Sequence, residues 1–175
     1  MNAPTSLPID LPPPSTHRVA APPRLDVFGP IHRALRRALA ALLADMSSTS
    51  FDDASEASRI VQQLGGVVDL CEEHRMHEDA LVPVVAQRVQ RETLACVSAA
   101  HAAQPRYVAE LRALGATLVG ATDGHRALAG KTLYLHYTTF VAELLRHMAE
   151  EEQVVQPLLE RFFTDEELSS LSSHA

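Results

Sequence analysis

The chain is 175 residues long, 46% hydrophobic, and carries a formal net charge of -7. Its length and apolar content suit one domain with a proper core. The acidic balance, with no basic run and no interleaving of basic and aromatic residues, argues against nucleic-acid binding. Two cysteines, Cys71 and Cys96, with no CxxC pair, argue against a disulfide framework and fit helix interiors as small apolar residues.

No apolar stretch approaches a membrane span, and no basic stretch leads into a continuous apolar run near the N-terminus, so the expected location is cytoplasmic. Eight of the 11 prolines fall before residue 31, and glycines number only 7, so the body reads as helix with few breaks. Residues 1–24 cannot bury a core and are expected to form a proline-rich disordered arm ahead of a domain over 25–175.

Pro30 suits the first turn of a helix. Leu35, Leu39, Leu42 and Met46 follow His32 at helical spacing, which predicts a first helix over 30–47. Ser47 to Ser50 are expected to form a loop. Asp52 or Asp53 can cap a second helix, with Glu56 placed for a capping box. That helix is expected over 53–88, with Ile60, Leu64, Val67, Cys71, His74, Glu78 and Val85 in one arc, a weak point at Gly65 and Gly66, and a bend at Pro83. A third helix over 92–119 carries Leu94, Val97, His101 and Val108 on one face, with a kink at Pro105. After a turn at Gly120 to Gly124, a fourth helix over 126–160 aligns Leu133, His136, Phe140, Leu144, His147, Glu151, Val154 and Leu158. Thr164 to Glu167 reads as a capping box opening a short terminal helix. The fold expected is all-α, an antiparallel up-down-up-down four-helix bundle with a short C-terminal helix.

Inside these apolar stripes a histidine is twice followed by a glutamate four residues on, His74 with Glu78 and His147 with Glu151, while His32 and His101 stand singly on the other two helices. Helical rise returns His101, and then His147 and Glu151, to the level of the first pair; His32 fits that level less well. Any one of these residues alone is ordinary, since histidines often sit satisfied in helices and acidic helices produce HxxxE by chance. Their convergence is not ordinary, because a buried carboxylate left uncompensated costs about 3–5 kcal/mol. A metal pair would compensate it, and imidazole with carboxylate suits iron, manganese or zinc, whereas the lack of thiolates argues against iron–sulfur and typical structural zinc sites. His136 shares the stripe too far from His147 to join the site and is expected to be a core histidine. His77 lies about 100° from Glu78 and is a reserve or outer residue. His17, His125 and His174 are read as incidental. Glu150 and Glu152 are expected to face solvent on either side of Glu151.

The segments PIHRALR, HRMHEDALVP, AAHAAQP and HMAEEEQVVQPLL resemble the hemerythrin-like, or HHE cation-binding, domain family over about residues 30–160. The order His then Glu differs from the Glu-x-x-His of ferritin-like proteins. The resemblance implies a carboxylate-bridged di-iron centre, with His32 and His74 on one iron, His101 and His147 on the other, and Glu78 and Glu151 bridging; manganese or zinc would suit the same donors. It implies a diatomic ligand such as oxygen or nitric oxide, or peroxide, in sensing or metal handling. The alternative is an oxidoreductase with peroxidase-like or ferroxidase turnover. Oxygen carriers of the family have a further histidine one turn after the third-helix ligand; here that residue is Pro105, which argues against reversible oxygen transport. The sequence holds no separate output domain, so signalling would call for a partner protein or a second copy of the chain.

Overall fold

The computed structural model describes residues 24–89 and 94–172. The arm up to residue 23, His17, the third helix before residue 94 and His174 lie outside the described residues, as does the side chain of Cys96.

Four long helices, α1 (Gly29–Ser48), α2 (Ala54–Ala86), α3 (Ala95–Gly120) and α4 (Arg126–Glu150), form the bundle. A π-helical turn over Glu151–Val155 joins α4 to α5 (Gln156–Phe162), and α6 (Asp165–Ser172) follows. Connections over 49–53 and 121–125 make neighbouring helices antiparallel, with α1 packed on α2 and α4, and α3 packed on the same two. Among the described residues there is no strand, and no helix is long and apolar enough to cross a membrane.

Local chemistry sets the helix ends. Pro30 occupies the first turn of α1. The Asp53 carboxylate accepts the Ser55 and Glu56 N–H groups at 2.7 and 3.2 Å, satisfying donors that lack an intrahelical partner. The expected reciprocal half of that box is not made: Glu56 turns to Arg59 at 2.8 Å, and Asp53 N–H donates to the Ser50 carbonyl at 3.2 Å. At α6 both halves form, with Thr164 N–H donating to Glu167 at 2.9 Å and Glu167 N–H to the Thr164 hydroxyl at 3.3 Å. Helix α2 runs through Gly65, Gly66 and Pro83, and α3 through Pro105, as single elements. Gly130 of α4 lies against Phe51, whose ring occupies the place a Cβ would take, so the α1–α2 loop can close on α4.

Two apolar clusters bracket the middle of the bundle. One contains Leu39, Leu42, Ile60, Leu64, Leu118 and Tyr137. The other, with Phe28, Val85, Leu94, Val155, Leu159 and Phe163, closes the end where α5 and α6 pack. Between them lie six buried polar side chains.

The burial pattern corrects three expectations. His136 is exposed, its Nδ1–H donating to the Thr132 carbonyl at 3.0 Å, while Tyr137 is fully buried. The buried positions Leu133, Tyr137, Phe140, Leu144, His147 and Glu151 alternate in steps of four and three residues, the seam of helices that wind around one another at about 3.5 residues per turn. A straight 3.6 period drifts off that seam. The same effect buries Val68 and leaves Val67 half-buried. Beyond Glu151 the wide turn inserts an extra residue and rotates the face, so Val155 and Leu159 are buried whereas Val154 is exposed and Leu158 half-buried. The turn bonds Gln156 N–H to the Glu151 carbonyl and precedes Pro157, which has no N–H to continue a regular ladder and crowds the turn before it.

Candidate metal centre

The three-and-four seam of each helix delivers its polar member to one level. The structure brings together all six sequence-predicted site residues, His32, His74, Glu78, His101, His147 and Glu151, each at most 5% exposed. The lone histidine of α1, placed with least force by helical rise, is completely buried.

The donors fall into two halves. His32 and His74 face each other through Nε2 at 3.1 Å, and His101 and His147 likewise at 2.9 Å. Glu78 spans both halves, with Oε1 at 2.9 Å from His74 and 3.4 Å from His32, and Oε2 at 3.4 Å from His101. Glu151 spans them in the opposite sense, with Oε1 at 3.3 Å from His147 and 3.6 Å from His101, and Oε2 at 3.5 Å from His32. His101 and His147 with both glutamates, and His32 and His74 with Glu78, each have ligand atoms close enough to share one ion. Two donors at about 2.1 Å from one ion and at right angles to each other stand about 3 Å apart, the spacing of both imidazole pairs.

Without a cation this cage is electrostatically conflicted. Burial disfavours the charge on His101, yet hydrogen bonding to Glu151 and Glu78 and the nearby carboxylate charges raise its pKa to about 10. Burial, reinforced by the charge of His101, drives His147 down to about 4. The two glutamates split like carboxylates sharing one site. Glu78 is held well below the usual range against its own burial by bonds from His101, His32 and His74. Glu151 is pushed up to about 7, first by burial and also by the charge of Glu78. Glu151 Oε2 has no hydrogen-bond partner although buried. A cation resolves these conflicts at once, since it meets both acids and lets every Nε2 present a lone pair.

Around the cage, His32 stacks on Phe28 with ring centroids 5.5 Å apart. A small cavity of about 20 Å³ touches Glu78 and Glu151 and is otherwise walled by apolar side chains including Phe28, Val97 and Val155. A larger groove of about 300 Å³ between α3 and α4 has Gln104, Phe140, Leu144 and His147 in its wall.

The family model of the hemerythrin HHE cation-binding domain matches residues 25–159. The chain belongs to that family. No curated protein matches it. Membership in the hemerythrin HHE family, with its buried His and Glu groups, makes this a metal-binding protein.

Two side chains at the hemerythrin centre escape a reading by helical phase alone. Glu152, expected to face solvent, accepts from His32 Nδ1–H at 3.0 Å and from Arg36 at 2.6 and 3.1 Å. Asp79 accepts from His101 Nδ1–H at 2.8 Å. Their signal was adjacency, because each directly follows a glutamate of the cage. Glu150 is half-buried and paired with Arg146. His77 is half-buried and belongs to neither donor group, and His125 is exposed beside Thr122. Cys71 is buried, and burial pushes its thiol up to about 12, a packing residue rather than a reactive one.

Proposed function

We propose that the chain is a di-iron protein that binds oxygen, nitric oxide or another small oxidant, in sensing or metal handling rather than oxygen transport. His32 and His74 would hold one iron, His101 and His147 the other, and Glu78 and Glu151 would bridge them. The observation that carries this reading is the span of each glutamate across both imidazole pairs. When bound, the iron pair supplies redox capacity and open positions for a small ligand. The chain's own part is to present donors and exclude water. Phe28, Leu81, Val97 and Val155 give the cage a dry wall beside Glu78 and Glu151, and the 20 Å³ space there is the size of one water or diatomic molecule. Pro105, one turn after His101, carries no donor, leaving two imidazoles for each iron, unlike an oxygen carrier.

Metal analysis of the purified protein with its visible spectrum tests the reading, the expected result being two irons per chain. Reaction of the reduced protein with oxygen and nitric oxide then follows ligand binding through that spectrum. A protein that holds no metal under iron-replete expression overturns the proposal. A second reading, turnover as a peroxidase or ferroxidase, is favoured by the groove beside His147, which has room for a substrate larger than a diatomic. Steady-state consumption of peroxide with a reductant separates the two.

A further inference from the structure

Each cage glutamate is followed by a second acid, Asp79 after Glu78 and Glu152 after Glu151. We propose that Asp79 and Glu152 are positioning residues for the metal centre, each orienting the lone histidine of a neighbouring helix, so that the working unit is His-x-x-x-Glu-acid, used twice. The proposal rests on the metal-centre reading above.

The two arrangements match. Asp79 of α2 accepts from His101 of α3 at 2.8 Å, and Glu152 of the wide turn accepts from His32 of α1 at 3.0 Å. An ionised carboxylate has no proton to give, so in each contact the imidazole donates from Nδ1. With that proton fixed on the outer edge of the ring, the lone pair of a neutral imidazole lies on Nε2, and Nε2 is the atom that faces the cage in both residues. Each acid is in turn held by an arginine. Arg36, one turn beyond His32, grips Glu152 with both terminal nitrogens, at 2.6 and 3.1 Å, while Arg75, one turn before Asp79, pairs with that carboxylate.

The remaining two histidines show why these acids are placed where they are. His74 and His147 have buried Nδ1 atoms with no hydrogen-bond partner, but each sits on the same helix as a cage glutamate, four residues away, and contacts it directly through Nε2. Their aim is set by their own helix. His32 and His101 stand on helices that contribute no glutamate to the cage, so no carboxylate of α1 or α3 fixes their ring rotation at the required level; Phe28 stacks on the face of His32 but gives its Nδ1 no acceptor. The second acids supply that constraint from outside.

Outer carboxylates of this kind fix ring orientation and raise ligand basicity, and their loss typically lowers metal affinity about 10–100-fold. The test is a Co²⁺ titration of the metal-free full chain, read through the visible d–d bands, for wild type, Asp79→Ala, Glu152→Ala, Asp79→Asn and Glu152→Gln, with Glu110→Ala as a surface control. The melting temperature of each metal-free variant reports folding. The wild type is expected to bind two equivalents. Each alanine variant is expected to bind one equivalent about 10–100-fold more weakly with an altered band, and the double alanine variant to weaken both. The amide variants, which keep a carbonyl acceptor, should recover part of the loss. Unchanged affinity in the alanine variants overturns the positioning role while leaving the metal centre standing. So does an equal loss in Glu110→Ala, or a loss tracking only a lowered melting temperature. A wild type that binds no Co²⁺ overturns both.

Discussion

The apolar layers around Leu39 and Tyr137 and the polar cage a few turns away are built from the same four helices on the same seam, yet they answer to different constraints. In the apolar layers, Leu35, Leu39, Ile60, Leu64, Leu118 and Leu133 are almost fully buried, and other apolar side chains of similar volume would serve. In the cage the donor set is costly unless a cation is present, because buried groups of like charge and paired lone pairs face one another. Stability and function are thus carried by adjacent layers. A substitution should disturb one and spare the other.

The largest effect expected is on the cage. Replacing Glu78 and Glu151 together by leucine should abolish metal binding, a loss well beyond the roughly 100-fold assigned to outer groups, while the metal-free protein melts at the same or a higher temperature, since apolar residues replacing a buried ionic cluster are often neutral or stabilising. Metal analysis and calorimetry on one preparation would check both halves of that expectation. The mirror experiment is Leu39→Ala. Leu39 is fully buried, so the variant should lose about 2–5 kcal/mol of stability in denaturant unfolding and still load its full complement of metal at low temperature. If Leu39→Ala emptied the site as thoroughly as the glutamate variant, the two layers would not be separable.

Much of this division was legible in the sequence. The helices, the terminal capping box and the buried level of the histidines and glutamates follow from apolar spacing and from rise per residue. What escaped has two physical causes. Helix supercoiling shortens the effective period, which moved His136 to the surface and Tyr137 to the core, and Val68 inward in place of Val67. The wide turn at Glu151–Val155 then rotated everything after it by one residue, and a period fitted to the preceding helix could not carry across. Asp79 and Glu152 were hidden for a related reason. Phase separates inward from outward, whereas these acids flank the cage and reach sideways to a neighbouring helix.

The cage should also differ from the apolar layers in its response to pH. In the metal-free protein His101 keeps its proton up to about pH 10 and Glu151 up to about pH 7, and the pKa of His32 is raised as well, its burial outweighed by Glu78, Glu151 and Glu152. These groups must shed protons to bind metal, so affinity should rise with pH. Below pH 7 at least two protons leave on loading, about a 100-fold gain in affinity per pH unit; above pH 7 Glu151 is already ionised and the slope should fall. Titration calorimetry in buffers of different ionisation enthalpy counts the protons directly. A flat profile between pH 6 and 8 would mean that the donors are unprotonated before metal arrives.

The smallest effect concerns the polar contact inside the apolar layers. The Tyr137 hydroxyl donates to the Leu39 carbonyl at 3.1 Å and ties α4 to α1. Tyr137→Phe keeps the ring and its packing, and the Leu39 carbonyl retains its helical role, so the cost should be that of one neutral hydrogen bond, about 0.5–1.5 kcal/mol. Metal affinity should not move, because the ring packs in the apolar layers and takes no part in the donor set. Denaturant unfolding and Co²⁺ titration of the same variant measure the two quantities independently. A shift in metal affinity comparable to that of Asp79→Ala would show that the α1–α4 tie holds His32 at its level. The lone histidine of α1 would then depend on the apolar layers as well as on Glu152.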